Sequence, residues 1–366
     1  MITFIPAEIY YDLYIYFSFF LVIANLLHAY TLSLNSEKNL KFLRTSGIIL
    51  FLSVILYIGL RPVSRYFGDM GAYRGFFHNY SIGFPVTSTK DVVFHYYMKF
   101  LSNFVSVPIF FLITAFLYIF PMYLISKKNF NNYWFYAFLL FVVSFSFFSY
   151  GTNGIRNGLA TSLFLWGICF PNKKILMIIL FILASLVHKS LLLPIAAYVL
   201  TLFYNKPKTF LKSWVIAIPT SFIFGSLFIS LFTILGFGDD RLEGYLSSSM
   251  DASKFSNTGF RWDFLFYSAF PVFAGWYFII KKKFKDEFYF RLYNTYLICN
   301  TFWILIIRAN FSNRFAYLSW FLMAIVIIYP LLKQQFFKNQ QIVIAKVVTA
   351  YFMFTFLMYF IYYDGK

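Results

Sequence analysis

The segment Gly59–Phe77, GLRPVSRYFGDMGAYRGFF, places three arginines and one aspartate directly after an apolar run. These charged residues are Arg61, Arg65, Asp69 and Arg74. A planar guanidinium can bind two phosphate oxygens at once and stays charged, so this arginine group suits a diphosphate. The Asp69 carboxylate could accept a proton from a reacting hydroxyl group. The alternative is an ordinary basic loop in which Asp69 is paired with an arginine.

Two further stretches put polar groups at the ends of apolar runs. The first, YGTNGIRNGLATS at 150–162, carries an arginine in the opening turn of a predicted span, where an ionisable group indicates function. The second, RANFSNR at 308–314, places two arginines in a turn between predicted spans. We therefore add Arg156, Arg308 and Arg314 to the candidate diphosphate ligands, with Asn153, Asn157 and Asn313 as supporting polar residues.

Composition identifies the class of protein that must position these residues. The 366-residue chain is 61% hydrophobic, has a mean hydropathy of +0.71 and contains only 12% charged residues. A soluble domain cannot bury so much apolar sequence, so we predict a polytopic membrane protein. The formal net charge of +18 does not indicate nucleic-acid binding, because the cations lie in short loops between apolar runs.

We predict an all-α bundle of about twelve transmembrane helices in a single domain, 1–366. An amphipathic helix is expected on the outer surface in the second half of the loop 61–104. This loop and the loop 236–261 are the two long outer loops. The predicted spans are 9–32, 43–60, 105–126, 132–150, 154–170, 174–188, 190–204, 213–235, 262–280, 288–307, 315–332 and 342–363.

Lysines and arginines are divided between alternate loops. Lysines follow the odd-numbered spans, and the positive-inside rule makes that side cytoplasmic, with both termini outside. Most arginines lie on the other side, where topology alone does not require them, and an outward anion-binding site explains their choice over lysine. These outer arginines are Arg61, Arg65, Arg74, Arg156, Arg241, Arg261, Arg308 and Arg314.

The stretch 174–204 predicts a recessed hairpin. Lysines bracket about thirty apolar residues that are interrupted only by His188, Lys189 and Ser190. Each arm is about 22 Å long, which is shorter than the ~30 Å hydrocarbon core, so the turn should face a wet cavity. We expect Lys189 to add positive charge to this cavity. His188 and Asp69 are equal candidates for the catalytic base, since histidine changes charge near neutral pH.

No P-loop, dinucleotide fingerprint, HExxH or nucleophile elbow occurs in the sequence. The outer side of a membrane offers no ATP, so the chemistry must use an activated substrate that is already in the membrane. Cys169 and Cys299 fall in apolar runs and indicate no disulfide. We expect no metal and no cofactor, because the arginines can neutralise a diphosphate and the outer acidic residues lack ligand spacing.

Four motifs resemble the EpsG family of Wzy-type bacterial polysaccharide polymerases. They are RPVSRYFGDMGAY, NGIRNGLATSLFLWG, ASLVHKSLLLPIA and NRFAYLSW, in this order over about residues 45–330. The resemblance implies a GT-C-like fold and metal-free transfer of a growing glycan from undecaprenyl diphosphate onto another lipid-linked repeat unit. It implies a place in the bacterial cytoplasmic (inner) membrane with the active site facing outward. The expected partners are the lipid-linked donor and acceptor, the bilayer, a chain-length regulator and a flippase, but no nucleic acid.

Three other functions compete with this reading. A ligase that moves a finished glycan would use the same donor and the same arginines. A flippase would carry cations through a two-sided cavity built from internal repeats, whereas here the arginines collect on one side and no repeat is visible. A membrane acyltransferase would need a cytoplasmic histidine, and none is placed there.

Overall fold

The computed structural model describes residues 2, 4–234, 259–309 and 312–362. These residues form helices and turns without any strand, which confirms the predicted all-α class. Most of the predicted outer loop 236–261, with Arg241, lies outside the described residues. Seven helical stretches among the described residues, some of which join two of the helices given below, are long and apolar enough to cross a membrane. The total of twelve spans stays a prediction. The seven are Tyr10–Ala29, Glu37–Gly59, Val107–Val142, Pro207–Leu231, Trp262–Lys281, Ser312–Lys333 and Gln340–Tyr362.

Contacts divide the chain into two compact units, and each unit is described by itself. The first consists of Met1–His188 with Leu331–Lys366, and the second is Lys189–Pro330. The single domain predicted from the sequence stays a prediction.

In the described part of the first unit there are nine consecutive α-helices and a tenth near the end of the chain. They are α1 (Tyr10–Ala29), α2 (Glu37–Gly59), α3 (Met70–Ser81), α4 (Val92–Ser102), α5 (Val107–Phe130), α6 (Trp134–Val142), α7 (Phe147–Thr152), α8 (Ile155–Ile168), α9 (Lys174–Val187) and α16 (Gln340–Tyr362). The second unit contains α10 (Leu192–Phe203), α11 (Pro207–Ile234), α12 (Trp262–Gly275), α13 (Glu287–Leu305) and α14 (Ser312–Trp320). Helix α15 (Met323–Lys333) begins in the second unit and ends in the first.

Close backbone approaches set the helix directions in the first unit. A Cβ atom on Gly59 would come within 2.8 Å of the Leu112 Cα, so the end of α2 meets the start of α5 and the two helices are antiparallel. Helix α8 runs parallel to α5. The Ser162 Oγ donates to the Tyr118 carbonyl at 2.6 Å, and the Lys128 Nζ donates to the Cys169 carbonyl at the far end.

The two ends of the chain pack antiparallel to each other. The ring centroids of Tyr11 and Tyr359 are 5.8 Å apart, and those of Phe19 and Phe356 are 5.0 Å apart. The N–H of Ile2 donates to the carbonyl at the end of α2 at 2.7 Å. The start of α1 and the end of α16 therefore lie at the same end of the unit.

The first unit thus has two chemically different ends. One end, where α2 ends and α5 and α8 begin, carries Arg61, Arg65, Arg74 and Arg156, and we call it the arginine end. The opposite end, here called the lysine end, carries lysines in the first turns of α2, in the last turn of α5 and at the start of α9; these are Lys38, Lys41, Lys127, Lys128, Lys173 and Lys174. Within this unit, Arg61, Arg65, Arg74 and Arg156 are thus separated from these lysines, as expected from the sequence, whereas Lys90 and Lys99 lie in the segment 61–104 with the arginines. Which end faces the cytoplasm stays a prediction.

The predicted span 132–150 is not one helix but two short ones, α6 and α7, with a break between Val142 and Phe147. The Tyr14 hydroxyl from α1 donates to the Val142 carbonyl, and the Thr355 hydroxyl from α16 donates to the Val143 carbonyl at 3.0 Å. A carbonyl freed from its helix inside a bilayer needs such an internal donor. Side chains from two other helices therefore make this break possible.

Buried polar side chains join the helices of the second unit. The Asn300 amide on α13 donates to the hydroxyls of Ser268 on α12, at 3.1 Å, and of Ser319 on α14, at 3.0 Å. Its carbonyl oxygen accepts from the Trp214 indole on α11 at 2.7 Å. Polar side chains in an apolar bundle stabilise it when they satisfy one another, and this network connects four helices at one point.

The sequence is right about the short arms of the stretch 174–204. Helices α9 and α10 are separated by His188 and a 3-10 turn, Lys189–Leu191. They have 14 and 12 residues, or about 21 Å and 18 Å, and neither alone spans a ~30 Å core. Ring stacking of Phe164 on Phe181 at 5.0 Å makes α9 antiparallel to α8, so α9 ends toward the arginine end.

A glycine in α8 provides a test of this packing. A Cβ atom on Gly158 would lie 2.4 Å from the Tyr150 carbonyl oxygen, which is backbone and cannot rotate away. We expect Gly158→Ala to destabilise the protein by about 1–3 kcal/mol and to lower its thermal unfolding midpoint. Gly75→Ala in α3 is the matched control, because a Cβ there meets nothing within 4 Å. Equal thermal unfolding midpoints for the two variants would contradict the described packing of Gly158 against the Tyr150 carbonyl.

Candidate functional site

Arg61 is buried at the arginine end, with 1% of its surface exposed. Its guanidinium donates from Nη1 to the Ile58 carbonyl at the end of α2 and from Nη2 to the Thr152 carbonyl at the end of α7, the latter at 3.0 Å. A cation is favourable at helix C-termini, where carbonyls are unpaired. Burial lowers the pKa of Arg61 to about 9, so it stays charged at neutral pH. Its contacts position two helices, and its role as a diphosphate ligand stays a prediction.

A tight backbone contact attaches the segment after Arg61 to the start of α8. Gly68 has a φ of 58°, and a Cβ there would lie 2.0 Å from the Asn153 Oδ1. The same oxygen accepts from the Asp69 N–H at 3.3 Å. Only glycine fits here, and Asn153 thereby holds Asp69 at the start of α3. The Asp69 carboxylate is exposed and forms no ion pair with any residue that the structure describes.

Arg156 is held by two side chains from the segment 61–104. In the first turn of α8, it donates from Nε to the Tyr73 hydroxyl at 2.9 Å and from Nη1 to the Asp91 carboxylate. The side chains of Arg156 and Asp91 are only 14% and 9% exposed. Asp69 is close enough to act electrostatically on Arg156. Residues from the segment 61–104 and from α8 therefore meet around one guanidinium.

Helix α4 joins this site to α9. It begins at Asp91, packs on α3 and α9, and carries the buried His95. The His95 Nδ1 is 2.9 Å from the Tyr80 hydroxyl on α3. Because α4 packs on α9, it connects the Arg156 cluster to the helix that ends at the half-buried His188. The amphipathic helix expected in this segment is thus present over Val92–Ser102.

The other predicted site residues divide between the two units. Arg65 and Arg74 are exposed in the first unit, and the Asn157 Oδ1 is buried without a hydrogen-bond partner among the described residues. In the second unit, Arg308 is exposed, donates from Nη2 to the Phe222 carbonyl at 3.4 Å and lies 5.1 Å from the centre of that ring. Lys189, Asn313 and Arg314 are exposed. That all these cations line one cavity stays a prediction.

Sequence reasoning did not connect Asp91 and Tyr73 with Arg156. Asp91 precedes Arg156 by 65 residues, and Tyr73 precedes it by 83. No short-range pattern in the sequence indicates contacts between residues so far apart in the chain. The one available sign was an aspartate at the start of an amphipathic helix, which places its carboxylate at a defined point on the surface. Among the described residues, no group of three His, Cys, Asp or Glu side chains could hold a metal ion.

The model of the EpsG family matches residues 44–365. This range includes all four sequence motifs: two at the arginine end, one at the turn between α9 and α10, and one in α14. The chain belongs to the EpsG family. This is a family of Wzy-like polysaccharide polymerases and glycosyltransferases, so family membership indicates a membrane glycosyltransferase of the polysaccharide polymerase type. No curated protein and no solved structure matches the chain significantly.

The environment of His95 in this EpsG family member predicts a pH dependence. Burial lowers the pKa of His95, and the nearby Arg156 cation lowers it further, against the opposing charge of Asp91. The folded protein therefore favours neutral His95, and stability is lost as the pH falls through about 6.5, where a free histidine is protonated. We expect faster backbone hydrogen exchange in α3 and α4 at pH 5.5 than at pH 7.5, after correction for the intrinsic rate.

His95→Gln, which does not titrate, should remove that difference. Helix α2 serves as the internal reference in the same experiment. Equal protection of α3 and α4 at both pH values in the unmodified protein would contradict the proposed dependence.

Proposed function

We propose that this protein polymerises oligosaccharide repeat units carried on undecaprenyl diphosphate, at the outer face of the bacterial cytoplasmic membrane. Family membership supports the reaction class. The observation that supports the diphosphate is the half-buried Arg156, held by Tyr73 and Asp91 at the arginine end. Positive charge is needed there when a diphosphate leaves, because negative charge develops on its bridging oxygen.

The proposed reaction needs no covalent enzyme intermediate. A hydroxyl of the acceptor glycan attacks the anomeric carbon of the donor, and the bond from that carbon to the diphosphate oxygen breaks. The proton of the attacking hydroxyl passes to a base, and the diphosphate leaves with the lipid. Arginine cations match its charge, so we propose that the reaction requires no metal. Chelation of divalent cations that stops polymerisation, with recovery on adding magnesium, would contradict this.

The distribution of lysines supports the proposed side of the membrane for the arginine end. The lysines at the start of α2, the end of α5 and the start of α9 are opposite the arginine end. Loops rich in lysine are retained in the cytoplasm, so the arginine end would face outward. Lipid-linked repeat units exposed on the outer leaflet could then reach the site without nucleotide.

The glycan of a deletion strain tests the function. We expect lipid-linked single repeat units, and single repeats transferred to the final acceptor, in place of long polymer. Polymer that accumulates on undecaprenyl diphosphate would instead identify a ligase. Loss of lipid-linked units from the outer leaflet would identify a flippase. Restoration of long polymer by the wild-type gene is the control for each result.

The same strain separates the two candidate bases. His188 ends α9 toward the arginine end, whereas Asp69 presents an exposed carboxylate at the start of α3. If His188 is the base, His188→Ala should lower the polymerisation rate by about 10²–10⁴-fold with lipid binding retained. Asp69→Asn should then weaken substrate binding more than turnover. Wild-type chain lengths from His188→Ala at matched expression would exclude His188 and leave Asp69.

A further inference from the structure

Two of the five N–H donors of the Arg156 guanidinium are engaged by side chains. Arginine binds phosphate best through two parallel N–H groups, either Nε with Nη2 or Nη1 with Nη2. Tyr73 engages Nε and Asp91 engages Nη1. Each of the two pairs therefore includes one nitrogen that already has a partner, so a phosphate bound by either pair comes close to Tyr73 or to the Asp91 carboxylate.

We propose that Asp91 is an internal stand-in for the anionic substrate: its carboxylate neutralises Arg156 in the empty site and is displaced when the lipid diphosphate binds. This inference rests on the proposed function, because it takes the diphosphate as the ligand of Arg156. A half-buried cation without a counter-anion is costly, and Asp91 supplies that anion to Arg156. In the loaded site the diphosphate takes over this role.

Charge decides which partner leaves. Asp91 and a diphosphate are both anionic, so they repel each other when both contact one guanidinium. Tyr73 is neutral, is 4% exposed and lies edge-to-face with Phe94 at 5.5 Å. Its oxygen accepts from Arg156, while its own O–H donates to no residue that the structure describes. Tyr73 can therefore remain in place and donate to a phosphate oxygen.

Asp91 can release Arg156 without unwinding α4. Its backbone carbonyl accepts the first N–H groups of the helix, from Phe94 at 2.9 Å and from His95 at 3.3 Å. Its side chain makes no helix-capping hydrogen bond, and Arg156 is its hydrogen-bond partner. Rotation of the carboxylate alone breaks the ion pair, and the backbone continues to hold the start of α4.

Binding of a polyprenyl diphosphate tests the proposal. The full chain is placed in phosphatidylcholine nanodiscs, and affinity for geranylgeranyl diphosphate is measured against geranylgeranyl monophosphate. Asp91→Asn keeps the shape of the side chain and tolerates the φ of 49° at this position, since asparagine is favoured there. We expect about tenfold tighter diphosphate binding by Asp91→Asn, because a competing charge is removed. Simple structural damage would weaken binding instead.

Two controls locate the effect. Asp263→Asn removes the carboxylate that accepts from Arg261 at 2.6 Å and 3.0 Å in the second unit, and it should leave the affinity unchanged. The gain should vanish when Asp91→Asn is combined with Arg156→Gln. If Asp91→Asn fails to fold, Asp91→Gly provides the second variant, since glycine adopts a positive φ without cost.

The outcomes distinguish this inference from the proposed function. Wild-type protein that binds neither lipid overturns the diphosphate site and the inference with it. Wild-type protein that binds the diphosphate, with unchanged or weaker binding by Asp91→Asn, overturns the stand-in role alone. A gain that persists without Arg156 also overturns it, because the gain would then come from another cation.

Discussion

Backbone carbonyls that lose their helical partners in or beside a bilayer need another donor, and this constraint shapes the first unit. At the break between α6 and α7, the Tyr14 and Thr355 hydroxyls donate to the carbonyls of Val142 and Val143. At the ends of α2 and α7, the Arg61 guanidinium donates to the free carbonyls. Since the hydrocarbon offers no water as an alternative, each break is fixed to the side chain that satisfies it. Side-chain donors are therefore part of each of these interruptions of the helices.

The kind of hydrogen-bond partner distinguishes two kinds of arginine that cannot be told apart by composition. Arg61 gives its donors to main-chain carbonyls and is enclosed by protein. Arg156 is paired with a carboxylate and a hydroxyl, both of which are side chains that can move independently of a helix. A cation bound to carbonyls stabilises a fold, whereas one paired with an exchangeable anion can respond to a ligand. Position in the sequence does not distinguish the two.

The sequence predicted the features that depend on composition and on charge spacing. The all-α class, the short α9 and α10 and the opposite ends of lysine and arginine in the first unit all follow from apolar run lengths and loop charges. The break after Val142 could not be predicted, because the surrounding run has no glycine or proline to mark it. The pairing of Asp91 with Arg156 was also hidden, since it depends on how the segment 61–104 folds over α8. The burial of Arg61 depends on the same packing.

The last helix has a consequence for the order of assembly. Helix α16 belongs to the first unit, although about 140 residues of the second unit separate it from the rest. It supplies the hydroxyl that satisfies the Val143 carbonyl, and its rings pack on α1. During synthesis, α1–α9 are made before this partner exists. The first unit is therefore incomplete while the second unit is made. The hydrogen bond from Thr355 to the Val143 carbonyl forms only after α16 has been synthesised.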